Sequence, residues 1–360
     1  MPVYYSLFFL TLLLSIILPS KTDKQWKRKL FWTFVPLFLF GALRVDFGND
    51  YDSYEEIYFE FHRNIPFVYD ERAHAEIGFQ LLCYVLPSYR AVLVLNSLLL
   101  CLGLSVFIYR NVPRKLLWLA ILLLFLNVEK NIYGSLVGTR TGYAVAVFLL
   151  GSIYIQQRKL FAFILVTLLS ISFHSASLFF MPLAYLIGRN KEINKKEIIL
   201  WILIIISAVL ISFTRFKSLV EPFLIDRYES YTNYLEVEAH RGWLLTVAGL
   251  SLFYFSFVVF WTNKQLFEKK QNSIIRVGLL YITTTLLGSM AFRVGYFLDM
   301  FFIGAIVNLV HSSTKSRNMS YMLCSLAILM SIYSFILWRS ANYGNIRYDV
   351  YHSIIELPRR

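Results

Sequence analysis

Charged and polar residues that could do chemistry lie at the ends of long apolar runs in this chain. An ionisable group close to lipid is costly unless it has a partner or a ligand. Arginine side chains bind phosphate through paired, charge-assisted hydrogen bonds and keep their charge. The set therefore indicates a phosphate-binding site, and snorkelling of each arginine at a helix end is the alternative. The residues are Arg44, Glu76, Arg90, Arg140, His174 and Arg293.

Arg140 and Arg293 are the best candidates for a pyrophosphate clamp. Arg140 lies in GTRTGY at the start of an apolar run, where the free N–H groups of a helix N-terminus would attract an anion. Arg293 lies in AFRVGY, between two apolar runs. Arg44 closes an earlier run, and Arg90 follows the short segment 77–87. We expect all four arginines to bind substrate.

Three residues are candidates for a general base. His174 lies in SFHSAS between two apolar half-runs, and an imidazole suits proton transfer near neutral pH. Asp50 and Glu76 are the acidic alternatives, because a carboxylate can take the proton of a sugar hydroxyl. A packing histidine and a solvated acidic loop are the competing interpretations. His62 and His74 lie far apart in a polar loop, so we expect no bound metal.

Tyrosines recur at spacings of three or four in two polar segments. On a helix this spacing makes a stripe along one face. Such a stripe could lie along the membrane interface or offer rings that stack on sugars. We expect Tyr51 and Tyr54 to bind substrate and the second set to form an interface belt. The two sets are Tyr51, Tyr54 and Tyr58, and Tyr228, Tyr231 and Tyr234.

The apolar runs that must position these residues predict a membrane protein. The chain is 58% hydrophobic and 16% charged, whereas soluble domains have about a quarter charged residues. Several runs approach the roughly 20 residues that span a bilayer core. We predict an all-α fold, a polytopic transmembrane helical bundle in a single membrane domain, residues 1–360. The twelve predicted spans are 3–20, 30–43, 89–109, 115–128, 141–156, 160–174, 176–188, 197–213, 243–262, 274–291, 294–312 and 319–338.

The segments between the spans divide into two kinds. Residues 44–76 and 214–241 are predicted loops on the outer face, long and mixed in charge. Residues 77–87 are too short to span a bilayer and end at Pro87, so they predict an interfacial or re-entrant helix.

The distribution of positive charge predicts the orientation. If the N-terminus lies outside, the short inner loops carry more than half of the 35 Lys and Arg residues and few acids. Both termini then lie outside. These loops also account for the net charge of +13, so nucleic acid is not an expected partner. The inner loops are 21–30, 110–115, 156–159, 189–197, 263–276 and 313–318.

The sequence contains no Walker loop, GxGxxG or HExxH motif and no soluble nucleotide-binding domain. Chemistry driven by a cytoplasmic nucleotide is therefore not expected within this chain. A reaction on the outer face must use a donor that is already activated and already in the membrane. We expect no cofactor.

The ordered set of motifs resembles the EpsG branch of Wzy-type polysaccharide polymerases. Each motif alone is weak, but together they cover most of the chain in order and spacing. The motifs are Gly48-Asn49-Asp50-Tyr51-Asp52-Ser53-Tyr54, Glu76 with Gly78-Phe79, Arg140 with Gly142 and Ala144, Phe173-His174-Ser175-Ala176, and Arg293-Val294-Gly295-Tyr296-Phe297.

The resemblance implies a polymerase of O-antigen, capsular or exopolysaccharide repeat units, GT-C-like in character. It would act on undecaprenyl-diphosphate-linked oligosaccharides at the outer face of the bacterial cytoplasmic (inner) membrane. The growing glycan would move from its lipid diphosphate to the non-reducing end of a new lipid-linked unit. A base among Glu76, Asp50 and His174 would activate the acceptor, and Arg140, Arg293 and Arg44 would stabilise the diphosphate. Candidate partners are the lipid bilayer and a chain-length regulator.

Two other functions compete with the polymerase. A flippase or transporter for the same lipid-linked unit would suit twelve spans, but it needs polar groups near the bilayer midplane and often repeated halves. A membrane O-acyltransferase would need a route for its acyl donor from inside. The sequence offers few charges within the spans and no internal repeat, which favours the polymerase.

Overall fold

The fold was analysed in a computed structural model. It describes residues 2–48, 50–63, 75–127, 134–191, 269–286, 289–312 and 351–353, with scattered positions between 196 and 207 and between 321 and 336. Within this part of the chain the structure is helical, apart from two short strands and the connections.

Eleven α-helices can be delimited among the described residues, and a single 3-10 turn, Arg114–Leu116, leads into the sixth. The strands β1 (Arg44–Val45) and β2 (His352–Ser353) pair in antiparallel fashion. The helices are α1 Pro2–Ile17, α2 Asp23–Leu43, α3 Tyr51–Arg63, α4 Ile77–Val85, α5 Tyr89–Asn111, α6 Leu117–Leu126, α7 Thr139–Gln157, α8 Leu160–Ile171, α9 Ser177–Ile187, α10 Lys269–Leu286 and α11 Ser289–Ser312.

Local signals in the sequence explain where two long helices begin. The Thr22 hydroxyl accepts a hydrogen bond from the Gln25 amide, and the Gln25 side chain accepts from the Thr22 amide, which makes a capping box for α2. The Ser88 hydroxyl accepts from the Ala91 amide and caps α5. Apolar faces of these helices then pack into the main core.

One end of the bundle collects several of the basic connections, and we call it the basic end. The Arg114 guanidinium donates to the Lys21 carbonyl oxygen at 3.2 Å, which joins the start of α2 to the segment after α5. The Asn308 amide donates to the Asn111 carbonyl oxygen at 2.7 Å, which brings the last turns of α11 to the same place.

The opposite end holds the C-terminus of α2 and the N-terminus of α5, and we call it the site end. The Arg90 guanidinium donates to the Ala42 carbonyl oxygen at 3.0 Å across these two termini. The Tyr351 hydroxyl donates to the Phe40 carbonyl oxygen at 2.9 Å, so the segment with β2 lies here as well. Among the described residues, the connections after α1 and α5 thus lie at the basic end and those after α2 and α4 at the site end; which end faces outward stays a prediction.

The described helices leave large apolar side chains on the outside of the bundle. Phe161 on α8 is 75% exposed and Phe179 on α9 is 66% exposed. Apolar patches of this extent are uncommon on water-soluble monomers and typical of surfaces that meet lipid or protein. One described helix, Tyr89–Asn111, is long and apolar enough to span a bilayer, and four shorter apolar helical stretches have 10–17 residues. The count of twelve spans therefore stays a prediction.

The structure adds detail to one expectation and corrects another. Residues 44–76, expected as a loop between two spans, contain β1 and the amphipathic helix α3, whose tyrosine stripe is buried. Arg293 was expected between two spans, but it lies inside α11. Arginine is a good helix former, so a single charge within an apolar run need not end a helix.

Other expectations about elements have mixed outcomes. The short helix expected over 77–87 is present as α4, and the span expected over 89–109 is present as α5. The loop expected over 214–241 and the span expected over 243–262 lie outside the described residues.

Candidate functional site

The carboxylate of Glu76 is the centre of a polar cluster at the site end. Its Oε2 accepts a hydrogen bond from Arg140 Nη1 at 2.9 Å. Its Oε1 accepts from the backbone amide of Ser175 at 2.9 Å and lies 3.3 Å from Nδ1 of His174. The side chains of Glu76, Arg140 and His174 are about one-fifth exposed. The expected base candidates Glu76 and His174 and the expected clamp Arg140 therefore form one unit.

Three chain connections position this cluster. Glu76 is the residue immediately before α4, so its side chain projects from a helix start. Arg140 is the second residue of α7, after a π-helical turn over residues 134–137. His174 and Ser175 lie in the turn that breaks the apolar run between α8 and α9.

Gly78 lets α4 approach the turn that carries His174. Its amide donates to the Ser172 carbonyl oxygen at 2.7 Å. A Cβ atom at this position would lie 2.4 Å from the Ser172 Oγ and 2.7 Å from that carbonyl oxygen. The close approach explains why glycine follows Glu76 by two residues.

Replacement of Gly78 by alanine is expected to lower the free energy of unfolding by about 1–3 kcal/mol, because the methyl group overpacks a backbone contact. Thermal unfolding of the purified chain in detergent would measure this effect. Gly304→Ala in α11 is the control, because there a Cβ would meet only side-chain carbons at 3.2 Å or more. Equal stability of the two variants would contradict this account.

Tyr54 of α3 extends the cluster on the side of Arg140. The Arg140 guanidinium carbon lies 5.7 Å from the centre of the Tyr54 ring, within the range of a cation–π contact. The Tyr54 ring also meets the Phe79 ring of α4 edge to face. The tyrosine stripe thus faces inward and supports the site, rather than lying on the surface.

His174 meets α11 on its other side. Its ring stacks on the Phe297 ring with 6.2 Å between centroids. Arg293 precedes Phe297 by four residues in the same helix, and the side chain of Arg293 lies outside the described part. Sequence elements more than 200 residues apart therefore meet around one histidine.

Hydrogen bonds and charge keep the Glu76 carboxylate ionised. Burial disfavours the charged form, but the His174 hydrogen bond, the Arg140 charge and the Ser175 amide outweigh burial and lower the pKa of Glu76 to about 2. Glu76 lies outside the predicted spans. A carboxylate held in this way balances the charge of Arg140.

The lowered pKa of Glu76 predicts a stability that depends on pH. The carboxylate contributes its full stabilisation above its ordinary pKa of 4.5, and the contribution is lost as pH falls towards about 2. We expect the free energy of unfolding of the wild type to exceed that of Glu76→Gln by on the order of 3 kcal/mol at pH 7. Thermal unfolding from pH 7 to pH 3 should show that this difference in stability becomes smaller below pH 4.5. The exposed Glu56→Gln variant is the control, and a gap independent of pH would contradict the pairing.

Arg44 lies fully buried beside the start of α7. Its Nη2 donates to the Val137 carbonyl oxygen at 3.4 Å and to the Thr139 Oγ1 at 3.3 Å. Its Nε and Nη1 are buried without a hydrogen-bond partner, and no carboxylate among the described residues pairs with it. Unlike Arg140, Arg44 thus carries a positive charge that the described residues leave unbalanced.

The remaining expected site residues have distinct positions. Arg90 Nη1 donates to the Ala42 and Arg44 carbonyl oxygens, so it caps the end of α2. Tyr51 is buried, and its carbonyl oxygen accepts from the Tyr89 hydroxyl at 3.3 Å. Asp50 is exposed at the start of α3 and has no hydrogen bond to Glu76, Arg140 or His174 among the described residues. Their roles in substrate binding or catalysis stay predictions.

Two contributors to the site were not foreseen from the sequence. The Ser175 amide that binds Glu76 is a backbone group, which leaves no signal in residue type. Phe297 is part of the Arg-x-Gly-Tyr-Phe element, but nothing in its spacing indicated a contact with His174. The order of the motifs was the one available signal that these segments belong together.

The fold and the site together define a class of protein. It is a membrane-associated protein whose described residues are largely helical, with apolar side chains on the outer surface and an ionisable cluster at one end of the bundle. A scan against protein families matches the EpsG family over residues 27–351, and the chain belongs to this family. The family indicates a Wzy-type exopolysaccharide polymerase in general, which is glycosyltransferase-like. Searches of curated proteins and of solved structures found no match.

Proposed function

We propose that the protein polymerises polysaccharide repeat units at the outer face of the bacterial cytoplasmic membrane. The donor is a growing glycan on undecaprenyl diphosphate, and the acceptor is the non-reducing end of a lipid-linked repeat unit. The observation that carries the proposal is the cluster of Glu76, Arg140 and His174, which joins a candidate base to a phosphate-binding residue type at one end of an apolar bundle.

The reaction needs a base and a cationic region. A base takes the proton of the acceptor hydroxyl, and the hydroxyl oxygen attacks the anomeric carbon with inversion. The bond from that carbon to the diphosphate breaks, and the diphosphate leaves with its electron pair. Positive groups that face the departing diphosphate lower the barrier because they stabilise charge that develops there. No nucleotide is consumed, which agrees with the absence of a nucleotide-binding motif in the sequence.

Arg44 and Arg293 are the arginines that we assign to the diphosphate. Glu76 balances the charge of Arg140, whereas Arg44 has no carboxylate partner among the described residues. Arg140 then has two roles: it holds the Glu76 carboxylate in place, and it contributes a positive charge to the site at the start of α7.

An assay in sealed membrane vesicles separates this function from its alternatives. Wild-type protein supplied with lipid-linked repeat units should yield longer lipid-linked glycans without an energy source. A flippase would change only the sidedness of the lipid-linked unit, and an O-acyltransferase would add acyl groups. Vesicles in which the glycans keep their length would overturn the proposal. An epitope tag in the segment 64–74, accessible only from outside, would test the orientation in the same preparation.

A further inference from the structure

The three base candidates differ in how their acidic or basic atoms are engaged. Asp50 is exposed and makes no hydrogen bond to the cluster among the described residues. Glu76 has both oxygens engaged, Oε2 by Arg140 and Oε1 by the Ser175 amide and His174. A carboxylate that accepts from these donors is a weak base, because each donor stabilises its charged form. Glu76 is therefore poorly suited to accept a proton.

His174 is placed differently. Its Nδ1 faces the Oε1 of Glu76 at 3.3 Å, and a carboxylate can only accept a hydrogen bond. The neutral imidazole therefore carries its proton on Nδ1 and its lone pair on Nε2. Nε2 has no hydrogen-bond partner among the described residues, and the side chain is 21% exposed. The Phe297 ring, stacked on the imidazole, fixes its plane.

We propose that Nε2 of His174 is the general base of the transfer reaction, and that Glu76 is a positioning residue that fixes the tautomer and orientation of His174. This inference rests on the proposed polymerase function and names the base within it. In the step, the acceptor O–H bond breaks and its proton passes to Nε2. A bond forms between that oxygen and the anomeric carbon while the carbon–phosphate oxygen bond breaks. The diphosphate leaves with the electron pair, and His174 later returns its proton to water.

Groups on four helices surround His174. Glu76 faces it from the start of α4, and Arg140 of α7 lies behind Glu76 with Tyr54 of α3 at its side. Phe297 of α11 is apolar. The nearest charged group is thus the Glu76 carboxylate, which orients the imidazole through Nδ1.

His174→Asn is the decisive variant. Its amide nitrogen can replace Nδ1 as a donor to Glu76, so the packing of the turn is retained while Nε2 is removed. We expect kcat for extension of lipid-linked glycans to fall by about 10²–10⁴-fold, with KM changed less than threefold. His311→Gln, at the basic end of α11, is the control and should retain wild-type rates. Thermal unfolding checks that each variant is folded.

The Glu76→Gln variant allows a measurement that would not change if Glu76 had only a structural role. We expect kcat to fall while KM changes less than threefold, because Glu76 orients the base and does not touch the substrate. Retention of kcat within tenfold in His174→Asn would overturn the inference, as would an unchanged kcat in Glu76→Gln. If wild type itself extends no glycan, the proposed function falls and the inference falls with it. If the wild type extends glycans and the variants do so equally well, the proposed function stands and only the assignment of His174 as the base is wrong.

Discussion

Arg140→Ala is expected to abolish long polymer while single repeat units are still attached. The change removes the guanidinium that donates to Glu76 at 2.9 Å, and it leaves a carboxylate that is about one-fifth exposed without its ionic partner. It also removes the positive charge beside Tyr54. Because Glu76 in turn holds His174, the loss should reach both the base and the diphosphate region. We expect extension to fall at least 100-fold in the chain-length ladder of extracted glycans.

Three companion variants separate the reasons for this loss. Arg140→Lys keeps the charge but not the planar fork, so partial activity is expected. Arg140→Ala combined with Glu76→Gln removes the unpaired carboxylate, and stability should recover while extension does not. Arg63→Ala removes an exposed arginine from α3 and should leave the ladder unchanged. A normal ladder from Arg140→Ala would refute the assignment of this site.

The sequence predicted helices well where the apolar signal was long or was bounded by proline. The run 89–109 became α5, and Pro87 separated it from the short helix α4. The polar segment before α4 was harder to interpret, because its charge suggested a loop. The tyrosine spacing was the correct helical signal there, and α3 buries those tyrosines against α4 and α5. Side-chain periodicity was therefore more informative than polarity in this segment.

The pairing within the site could not be predicted from the sequence alone. Glu76 lies 64 residues before Arg140 and 98 before His174, so their contact depends on the packing of four helices. The sequence suggested each as an independent site residue, and it favoured Arg140 and Arg293 as the clamp. In the structure Arg140 is neutralised by Glu76, whereas buried Arg44 pairs with no carboxylate in the part of the chain that the structure describes. The residue types thus indicated the kind of chemistry, whereas only the fold shows which arginine is paired with a carboxylate.

Arg44→Met is expected to reduce substrate affinity without a loss of stability. A buried guanidinium whose Nε and Nη1 have no partner among the described residues costs free energy, because these donors have lost their water. A methionine of similar length avoids this cost, so the melting temperature should stay the same or rise. If Arg44 binds the diphosphate, the same change should raise KM about 10–100-fold, the value of one charge-assisted hydrogen bond. Entry of the anion requires a neighbouring side chain to move, since Arg44 is 1% exposed.

Arg90→Met provides the matched comparison for Arg44→Met. Arg90 caps the Ala42 and Arg44 carbonyl oxygens, so its loss should lower the melting temperature, with a smaller effect on KM. Arg44→Lys should give an intermediate KM, because the charge remains but the fork is lost. Thermal unfolding and steady-state extension assays on the same preparations measure both quantities. If Arg44→Met loses as much stability as Arg90→Met and keeps its KM, then Arg44 only joins the end of α2 to the start of α7, and the diphosphate must be bound elsewhere.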